Sequence, residues 1–200
     1  MLKVLAKRRP AGIETILITP EPFQTYSGML PGWMAGHYSL SDIQIDLRPL
    51  AKAAGVHLVM DSMLGMDAER CCIGLTDRSH VEYDLLSLDT GSETDVSWLE
   101  MAGSKLLAIK PLDSFITAWP RVLAEIKRKP DYVLAIVGGG AAGVELAFAA
   151  NFAIRQLNIP AKVLLIYPQE GLLGTHAISV RQRVEQRLLT LLLPATLSKP

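Results

Sequence analysis

The sequence has no surplus of charge of either sign, since 20 Lys and Arg residues balance 20 Asp and Glu residues. Nucleic-acid-binding proteins neutralise phosphates with a basic surplus, so this balance argues against nucleic acid as a partner. Long apolar runs are also missing, because charged or polar residues interrupt every candidate membrane span. The basic first ten residues lack the apolar core and cleavage site of a secretory signal. We therefore predict a cytoplasmic protein without a transmembrane segment.

Cysteine is scarce as well: the chain has two, Cys71 and Cys72, and they are adjacent. This spacing fits neither a metal site nor a disulfide framework. Neighbouring residues of a strand face opposite sides, so we expect one cysteine in the core and the other exposed. No partner pattern for metal binding or triad catalysis surrounds the histidines, which are His37, His57, His80 and His176. The sequence predicts no metal site and identifies no catalytic side chain.

What the chain does contain is a glycine-rich loop between a strand pattern and a helix pattern. Gly138, Gly140 and Gly143 follow the apolar run 132–137 and open the helical pattern 141–157. In a G-x-G-x-x-G loop, the first glycine makes a tight turn, the second admits a pyrophosphate, and the third lets the helix pack against the strand. With a further strand over 161–167, the pattern predicts a βαβ unit whose two strands are parallel. A glycine-rich turn in an unrelated α/β protein is the alternative.

The coenzyme expected at this loop is NAD or NADP. An acid at the end of the second strand would bind the ribose of NAD, and Glu170 is a displaced candidate for it. A solvated loop charge is the alternative interpretation of Glu170. The sequence places no arginine at the strand end, so the choice between NAD and NADP is open. The residues predicted to bind NAD(P)H are Gly138, Gly139, Gly140, Ala141, Ala142, Gly143, Glu145 and Glu170.

Hydrophobic patterning predicts further elements along the chain. The expected strands are 14–19, 56–60, 71–75 and 81–88, with a hairpin turn over 76–79. The expected helices are 1–8, 46–54, 113–129 and 177–193. The last helix is expected to carry one apolar face, formed by Val180, Val184, Leu188 and Leu191. Residues 21–47 are rich in glycine, proline and aromatic side chains, and we expect a functional loop there.

Three sequence segments together resemble a known family. Residues 83–92, "YDLLSLDTGS", are similar to a segment of flavoproteins in which an NAD(P)H domain interrupts an FAD domain. The segments "YSGMLPG" (26–32) and "IVGGGAAGVELA" (136–147) are the most specific parts of the likeness. The chain resembles the pyridine nucleotide-disulfide oxidoreductase superfamily, near its type II NADH dehydrogenase-like branch and the flavoprotein module fused to selenophosphate synthetase. The glycine-rich loop comes late because FAD-type strands precede it.

The resemblance implies an α/β, Rossmann-like FAD/NAD(P)-binding fold in three parts. These are a partial FAD-binding domain (1–115), a linking helix (116–130) and the first part of an inserted NAD(P)H domain (131–200). FAD is the second cofactor implied. Its adenosine would lie near Pro20, Glu21 and Met63. Its flavin would lie near the loop from Ser27 and Gly28 to Pro31, and its diphosphate and flavin near Thr90 and Gly91. Turn chemistry or core packing is the alternative interpretation of each.

The implied function is that of a flavin-dependent oxidoreductase, which passes a hydride from NAD(P)H to FAD and then to an unknown electron acceptor. The alternative is a non-catalytic dinucleotide-fold module that binds a nucleotide or a partner. The superfamily opens its FAD site with a separate glycine-rich loop, which these 200 residues do not contain. The chain is therefore expected to be a piece of a longer enzyme. The strands thus uncovered would leave an apolar surface that a second copy or a missing segment covers.

With one glycine-rich loop instead of two, the 200-residue chain is expected to bind FAD weakly and to purify colourless. Each lost backbone bond to the FAD diphosphate contributes about 1.5–3 kcal/mol. Losing two or three weakens binding by roughly three orders of magnitude or more. The flavin absorbance of the purified chain measures this, and it should recover when an upstream strand–loop–helix segment is restored. A stoichiometric flavin band in the chain as it stands would contradict the expectation.

Overall fold

The computed structural model describes residues 1–129, 131–169, 171–191 and 193–197. The chain divides into two compact units: unit 1 comprises 1–26 and 44–92, and unit 2 comprises 27–43 and 93–200. Residues 27–43 thus interrupt unit 1 in the sequence but fold as part of unit 2. The domain boundaries expected from the sequence stay a prediction.

Unit 1 contains a short parallel pair of strands. Strand β1 (Ile16–Thr19) lies beside β4 (His57–Met60), with Thr19 opposite Met60, so both predicted strands are confirmed. Two helices, α1 (Leu2–Lys7) and α3 (Leu47–Ala54), pack against each other. The apolar cluster of this unit consists of Ala51, Ala54 and Val56 with Leu2, Leu5, Leu17 and Leu58 around them. Its small size fits a two-stranded sheet.

Helix α3 begins and ends at residues that the sequence predicts. The Asp46 carboxylate accepts the N–H of Arg48 at 3.0 Å and so caps the N-terminus. Gly55 adopts a left-handed conformation with φ of 62° just beyond the last turn. The N–H groups of Gly55 and Val56 donate to the carbonyls of Lys52 and Ala51, which satisfies two carbonyls of the helix end.

The remaining strands of unit 1 are antiparallel. Strand β2 (Phe23–Thr25) pairs with β3 (Gln44–Asp46). Strands β5 (Met63–Asp67), β6 (Cys72–Leu75) and β7 (His80–Glu82) form a meander. The hairpin turn expected over 76–79 joins β6 to β7 and is confirmed.

Several expectations for this region are wrong. Residues 21–47 contain β2, β3 and a helix, α2 (Leu30–Met34), where a loop was expected. Strand β5 was not predicted, because Gly65 interrupts it and the flanking Leu64 and Met66 are both exposed. The strand expected over 81–88 ends at Glu82, since Glu82 pairs with the first residue of β6 and no partner continues the ladder.

The cysteine pair also differs from expectation. Cys71 lies in the turn before β6, with φ of 50°, and is exposed. Cys72 begins β6 and is half-buried, so neither thiol lies in the core. Strand alternation does not apply, because the two residues do not share a strand.

Unit 2 is built on a three-stranded parallel sheet. Strands β8 (Val133–Val137), β9 (Lys162–Pro168) and β10 (Leu193–Leu197) lie in the order β10-β9-β8. Helix α5 (Ala141–Gln156) connects β8 to β9, which confirms the predicted parallel strands joined through the glycine-rich loop. Leu165 at the centre of β9 is fully buried.

Helix α6 (Ile178–Leu191) is shorter than predicted, because strand β10 already begins at Leu193. Leu188 is buried and Val184 and Leu191 are partly buried, but Val180 is 43% exposed. The predicted apolar face is therefore wrong at Val180, because the first turn of α6 is not covered. In the described ranges, no helix has both the length and the apolar character that crossing a membrane requires.

Residues 27–43 join unit 2 through α2. Leu30 and Met34 are buried in the same core as Phe115 and Trp119 of α4 (Leu112–Arg128). The Trp119 indole N–H donates to the Met34 carbonyl at 3.4 Å. Helix α2 also contacts α5, whose Ala147 and Ala150 are fully buried, and such small side chains permit close helix approach.

Replacing the central leucine of β9 should destabilise unit 2. Leu165→Ala removes a fully buried side chain and leaves a cavity, so we expect a loss of about 2–5 kcal/mol in the free energy of unfolding. Leu189→Ala is the matched control, because Leu189 is exposed on α6, and should change stability by less than about 0.5 kcal/mol. Urea unfolding followed by circular dichroism measures both. Equal effects of the two substitutions would contradict the assigned core.

Candidate functional site

The loop between β8 and α5 continues the parallel ladder before it turns. The Gly138 N–H donates to the Ile166 carbonyl of β9 at 2.9 Å. Gly138 has φ of 139°, which only glycine adopts readily. The chain then reverses into the first turn of α5. The first glycine of the motif thus has the turn role that its position predicts.

The first turn of α5 rests directly on this loop at Gly143. A Cβ at Gly143 would lie 2.0 Å from the Gly138 carbonyl oxygen, so no larger residue fits there. On the inner side, a Cβ at Gly139 would lie 3.0 Å from the Tyr167 Cβ and 3.5 Å from the Leu172 Cδ2. Gly143 and Gly139 therefore serve packing of the loop and the helix.

Gly140 differs from the other two because its surroundings are open. A Cβ there would meet nothing within 4 Å, and Gly140, Ala141 and Ala142 are all exposed. Gly140 is the N-cap of α5 and supplies no side-chain cap. The first helical bond recorded for this end runs from the Val144 N–H to the Gly140 carbonyl at 3.1 Å.

The N-terminus of α5 is consequently open to an anion. The N–H groups of Ala141, Ala142 and Gly143 precede the first helical bond and have no intrahelical acceptor. The helix dipole adds a partial positive charge at this end, and no acidic side chain of the first turn offsets it. Exposed N–H groups and a positive dipole together are the features that bind phosphate.

The two acidic candidates near this loop are placed differently. Glu145 lies in the second turn of α5 with an exposed side chain. Glu170 lies outside the described residues, and its role stays a prediction. The strand end before it consists of the partly buried Tyr167 and the exposed Pro168 and Gln169.

Three residues at this edge were missed by the sequence. The Leu173 N–H donates to the Gly139 carbonyl at 2.8 Å, and Leu172 and Leu173 are both buried. The segment after β9 thus folds back onto the glycine-rich loop. Arg181 of α6 is the third, since its Nη2 would lie 3.7 Å from a Cβ at Gly171. The only sequence signal for this contact was the apolar pair Leu172 and Leu173 in an otherwise polar stretch after β9.

Unit 1 brings three further candidates to one edge. Pro20 and Glu21 directly follow β1, and Met63 begins β5 just after β4. Parallel strands have their carboxyl ends at the same edge, where ligands of α/β sheets bind. The Asp61 N–H donates to the Thr19 carbonyl at 3.1 Å and extends the ladder to this edge. Pro20 and Glu21 are exposed and Met63 is partly buried.

Asp61, which belongs to no recognisable sequence motif, organises this edge. Its carboxylate accepts the Thr76 hydroxyl, the Ser62 N–H at 2.6 Å and the Asp77 N–H at 3.3 Å. The strand end and the β6–β7 turn are thereby joined. The bond from the Thr76 hydroxyl, followed by the one from the Ser62 N–H, holds the pKa of the Asp61 carboxyl below its ordinary value.

The other candidates toward FAD lie in separate segments. Ser27 and Gly28 are exposed in the short 3-10 turn before α2, in unit 2. Thr90 and Gly91 are exposed in an irregular segment of unit 1, where Gly91 has φ of 75°. Thr25, just before the 26–32 segment, is buried, and its hydroxyl has no hydrogen-bond partner among the described residues.

The described part of the chain contains no candidate metal site. No group of three or more His, Cys, Asp or Glu side chains there could hold a metal ion. The four histidines are all exposed, and His37 packs its ring against Phe152 at a centroid distance of 4.8 Å.

No protein-family model matches the chain, and no curated protein sequence matches it either. Solved structures do match. NDH2 from Plasmodium falciparum in complex with NADH has a TM-score of 0.79 at 18% identity, over 92% of this chain and 43% of that chain. A ferredoxin reductase from Rhodopseudomonas palustris has a TM-score of 0.76 at 16% identity, over 98% of this chain and 46% of that chain. The sulfide:quinone oxidoreductase of Aquifex aeolicus has a TM-score of 0.73 at 15% identity, over 98% and 47%.

This chain shares the fold of these three structures. The α/β, Rossmann-like fold class expected from the sequence is thus confirmed. The chain spans less than half the length of each of the three structures.

The Asp61 carboxylate should make the stability of unit 1 depend on pH. Its pKa is lowered in the folded chain, so its contribution is present above about pH 4 and is lost as the pH falls through the folded pKa. We expect Asp61→Asn to destabilise the chain most near neutral pH, with the difference from wild type shrinking below about pH 4. Urea unfolding at several pH values measures this.

Asp84→Asn is the control, because Asp84 is an exposed aspartate of the same unit outside this hydrogen-bonded group. It should leave the pH profile unchanged. A stability difference for Asp61→Asn that stays constant with pH would show that the charge of the carboxylate is not what joins the turn to the strand.

Proposed function

We propose that the chain is the coenzyme-binding part, with an adjoining part of the flavin domain, of an NAD(P)H-dependent flavoprotein oxidoreductase. The observation that carries this proposal is the open, uncapped N-terminus of α5 above Gly140. The coenzyme diphosphate would accept hydrogen bonds from the Ala141 and Ala142 N–H groups. Gly138 and Gly143 would hold the loop in the form that presents these donors.

The residues present fit a dinucleotide diphosphate in three respects. The space beside Gly140 is free, and a side chain there would project into it. The donors lie on the first turn of α5, a helix of 16 residues whose other end is packed into the core. The Leu173 N–H donates to the Gly139 carbonyl and so keeps the loop from opening. The site is therefore pre-organised before ligand binds.

The adenosine ribose would lie at the end of β9, as in other sheets of this kind. Arg181 reaches toward Gly171 near that end and is partly buried. A guanidinium there favours the 2′-phosphate of NADPH over the free 2′-hydroxyl of NADH. We infer that NADPH is the better ligand of the two.

FAD fits this chain only in part. The edge formed by Pro20, Glu21 and Met63 lies at the carboxyl ends of β1 and β4, where a ligand of this sheet would bind. A second glycine-rich loop for the FAD diphosphate is not among the 200 residues. These 200 residues therefore supply only part of an FAD site.

The reaction proposed for the whole protein is transfer of a hydride from NAD(P)H to a flavin and from there to a second acceptor. The nicotinamide supplies the hydride when the coenzyme is bound, and this chain supplies its position and electrostatics. The acceptor stays open, since the similar structures include both a ferredoxin reductase and a sulfide:quinone oxidoreductase.

Valine at Gly140 should weaken coenzyme binding strongly and leave the fold intact. Gly140 has φ of −79° and ψ of 178°, which any residue adopts, so Gly140→Val introduces no strain. Its side chain would displace the diphosphate from the donors. Losing two charge-assisted bonds of about 1.5 kcal/mol each weakens binding about 100-fold. Calorimetric titration with NADPH and with NADH measures the affinity.

Gly65→Val is the matched control, because its Cβ also meets open space but lies on β5 of unit 1. It should bind coenzyme like wild type.

Gly143→Ala should instead destabilise the chain by about 1–3 kcal/mol, since its Cβ overlaps the Gly138 carbonyl. Unchanged affinity of Gly140→Val would mean that the loop is only a turn. Coenzyme binding without NAD(P)H oxidation in the flavin-loaded full-length protein would favour the non-catalytic module.

A further inference from the structure

A groove between α5 and α6 has no role in the proposed coenzyme site. We call it the arginine groove; the residues that define it are Phe148, Phe152, Val184, Arg155, Arg183 and Arg187. Phe148 and Arg187 line both of its halves, so it is continuous. Phe152 is 39% exposed, which leaves aromatic surface open along the groove.

The groove is cationic and its charges are not neutralised. None of its three arginines forms an ion pair with a side chain in the described part of the chain. Guanidinium groups beside exposed aromatic rings are typical of protein interfaces. The chemistry that complements them is a segment carrying both carboxylates and large apolar side chains.

Unit 2 itself carries such a segment, residues 93–101, which we call the acidic arm. Its sequence, ETDVSWLEM, contains three acidic residues and no basic residue. Trp98 is 62% exposed and Met101 is fully exposed, so the arm does not occupy the groove of its own chain. Asp95 accepts the Ser97 N–H at 3.0 Å, which shapes the start of the arm.

We propose that the acidic arm of one copy docks into the arginine groove of a second copy. Glu93 and Asp95 face Arg183 and Arg187 in this arrangement, and Trp98 and Met101 cover the phenylalanines. A tryptophan beside arginines gains cation–π attraction, and a methionine gains contact with aromatic rings. Each copy offers one arm and one groove, so two reciprocal contacts close a dimer.

Such a dimer is weak and sensitive to salt. Each copy contributes a nine-residue arm and a groove defined by six residues, fewer than the roughly 20–30 residues a side of a standard interface. Its ionic contacts lie at exposed side chains and are screened at high ionic strength. We expect self-association in the micromolar range, with the dissociation constant rising at least about tenfold between roughly 50 mM and 500 mM salt.

Charge reversal in the arginine groove and in the acidic arm tests the two sides of the contact separately. Sedimentation velocity over a concentration series of the full 200-residue chain gives the dissociation constant of the dimer. The groove variant carries Arg183→Glu and Arg187→Glu, and the arm variant carries Glu93→Lys and Asp95→Lys. Each alone is expected to be monomeric, because its arm and groove then carry like charges. A mixture of the two is expected to form a heterodimer, since both of its contacts are again complementary.

The control variant carries Arg121→Glu and Lys127→Glu, which reverse two exposed cations of α4 outside the groove. It should dimerise like wild type, and melting followed by circular dichroism verifies that every variant is folded. Trp98→Ala should weaken the wild-type dimer without any change of charge. A wild-type chain that stays monomeric at all concentrations would overturn the proposal and leave the groove to another protein or to a further segment of the chain. Failure of the two reversed variants to associate when mixed would overturn it as well.

Discussion

The first turn of α5 lies so close to the preceding loop that a Cβ at Gly143 would stand 2.0 Å from the Gly138 carbonyl oxygen. This contact fixes where the helix begins and how its axis points. The donors of Ala141 and Ala142 therefore emerge at the mouth of the loop, beside the open Gly140. If the helix stood farther from the loop, those N–H groups would not converge on one anion.

The same helix also anchors the segment 27–43. Helix α2 contacts α5 within unit 2, and Trp119 of α4 donates to the Met34 carbonyl. Small residues such as Ala147 and Ala150 make this close packing possible. Residues 27–32, which the sequence predicts to lead toward a flavin, are thus attached to the helix that carries the proposed coenzyme site. Coenzyme position and loop position then depend on one packed core.

In unit 1, polar contacts stabilise the edge that carries Pro20, Glu21 and Met63, and apolar burial contributes little. Its apolar cluster is small, and its three sheets have short strands. The Asp61 carboxylate joins the end of β4 to the β6–β7 turn through three donors. A carboxylate suits this task because one side chain can accept several N–H and O–H groups at once.

The sequence by itself determined the parts whose signal is local. The glycine spacing, the apolar periodicity and the capping residues Asp46 and Gly55 predicted the βαβ unit and α3, because these features depend on nearby residues alone. Contacts between distant residues were decided only by the tertiary structure: Leu173 on Gly139, Arg181 near Gly171 and Asp61 on Thr76. Short strands such as β5 and β10 also escaped the sequence, because a strand exists through its partner. Contacts between distant residues determine which residues face a ligand, and the sequence pattern alone does not predict those contacts.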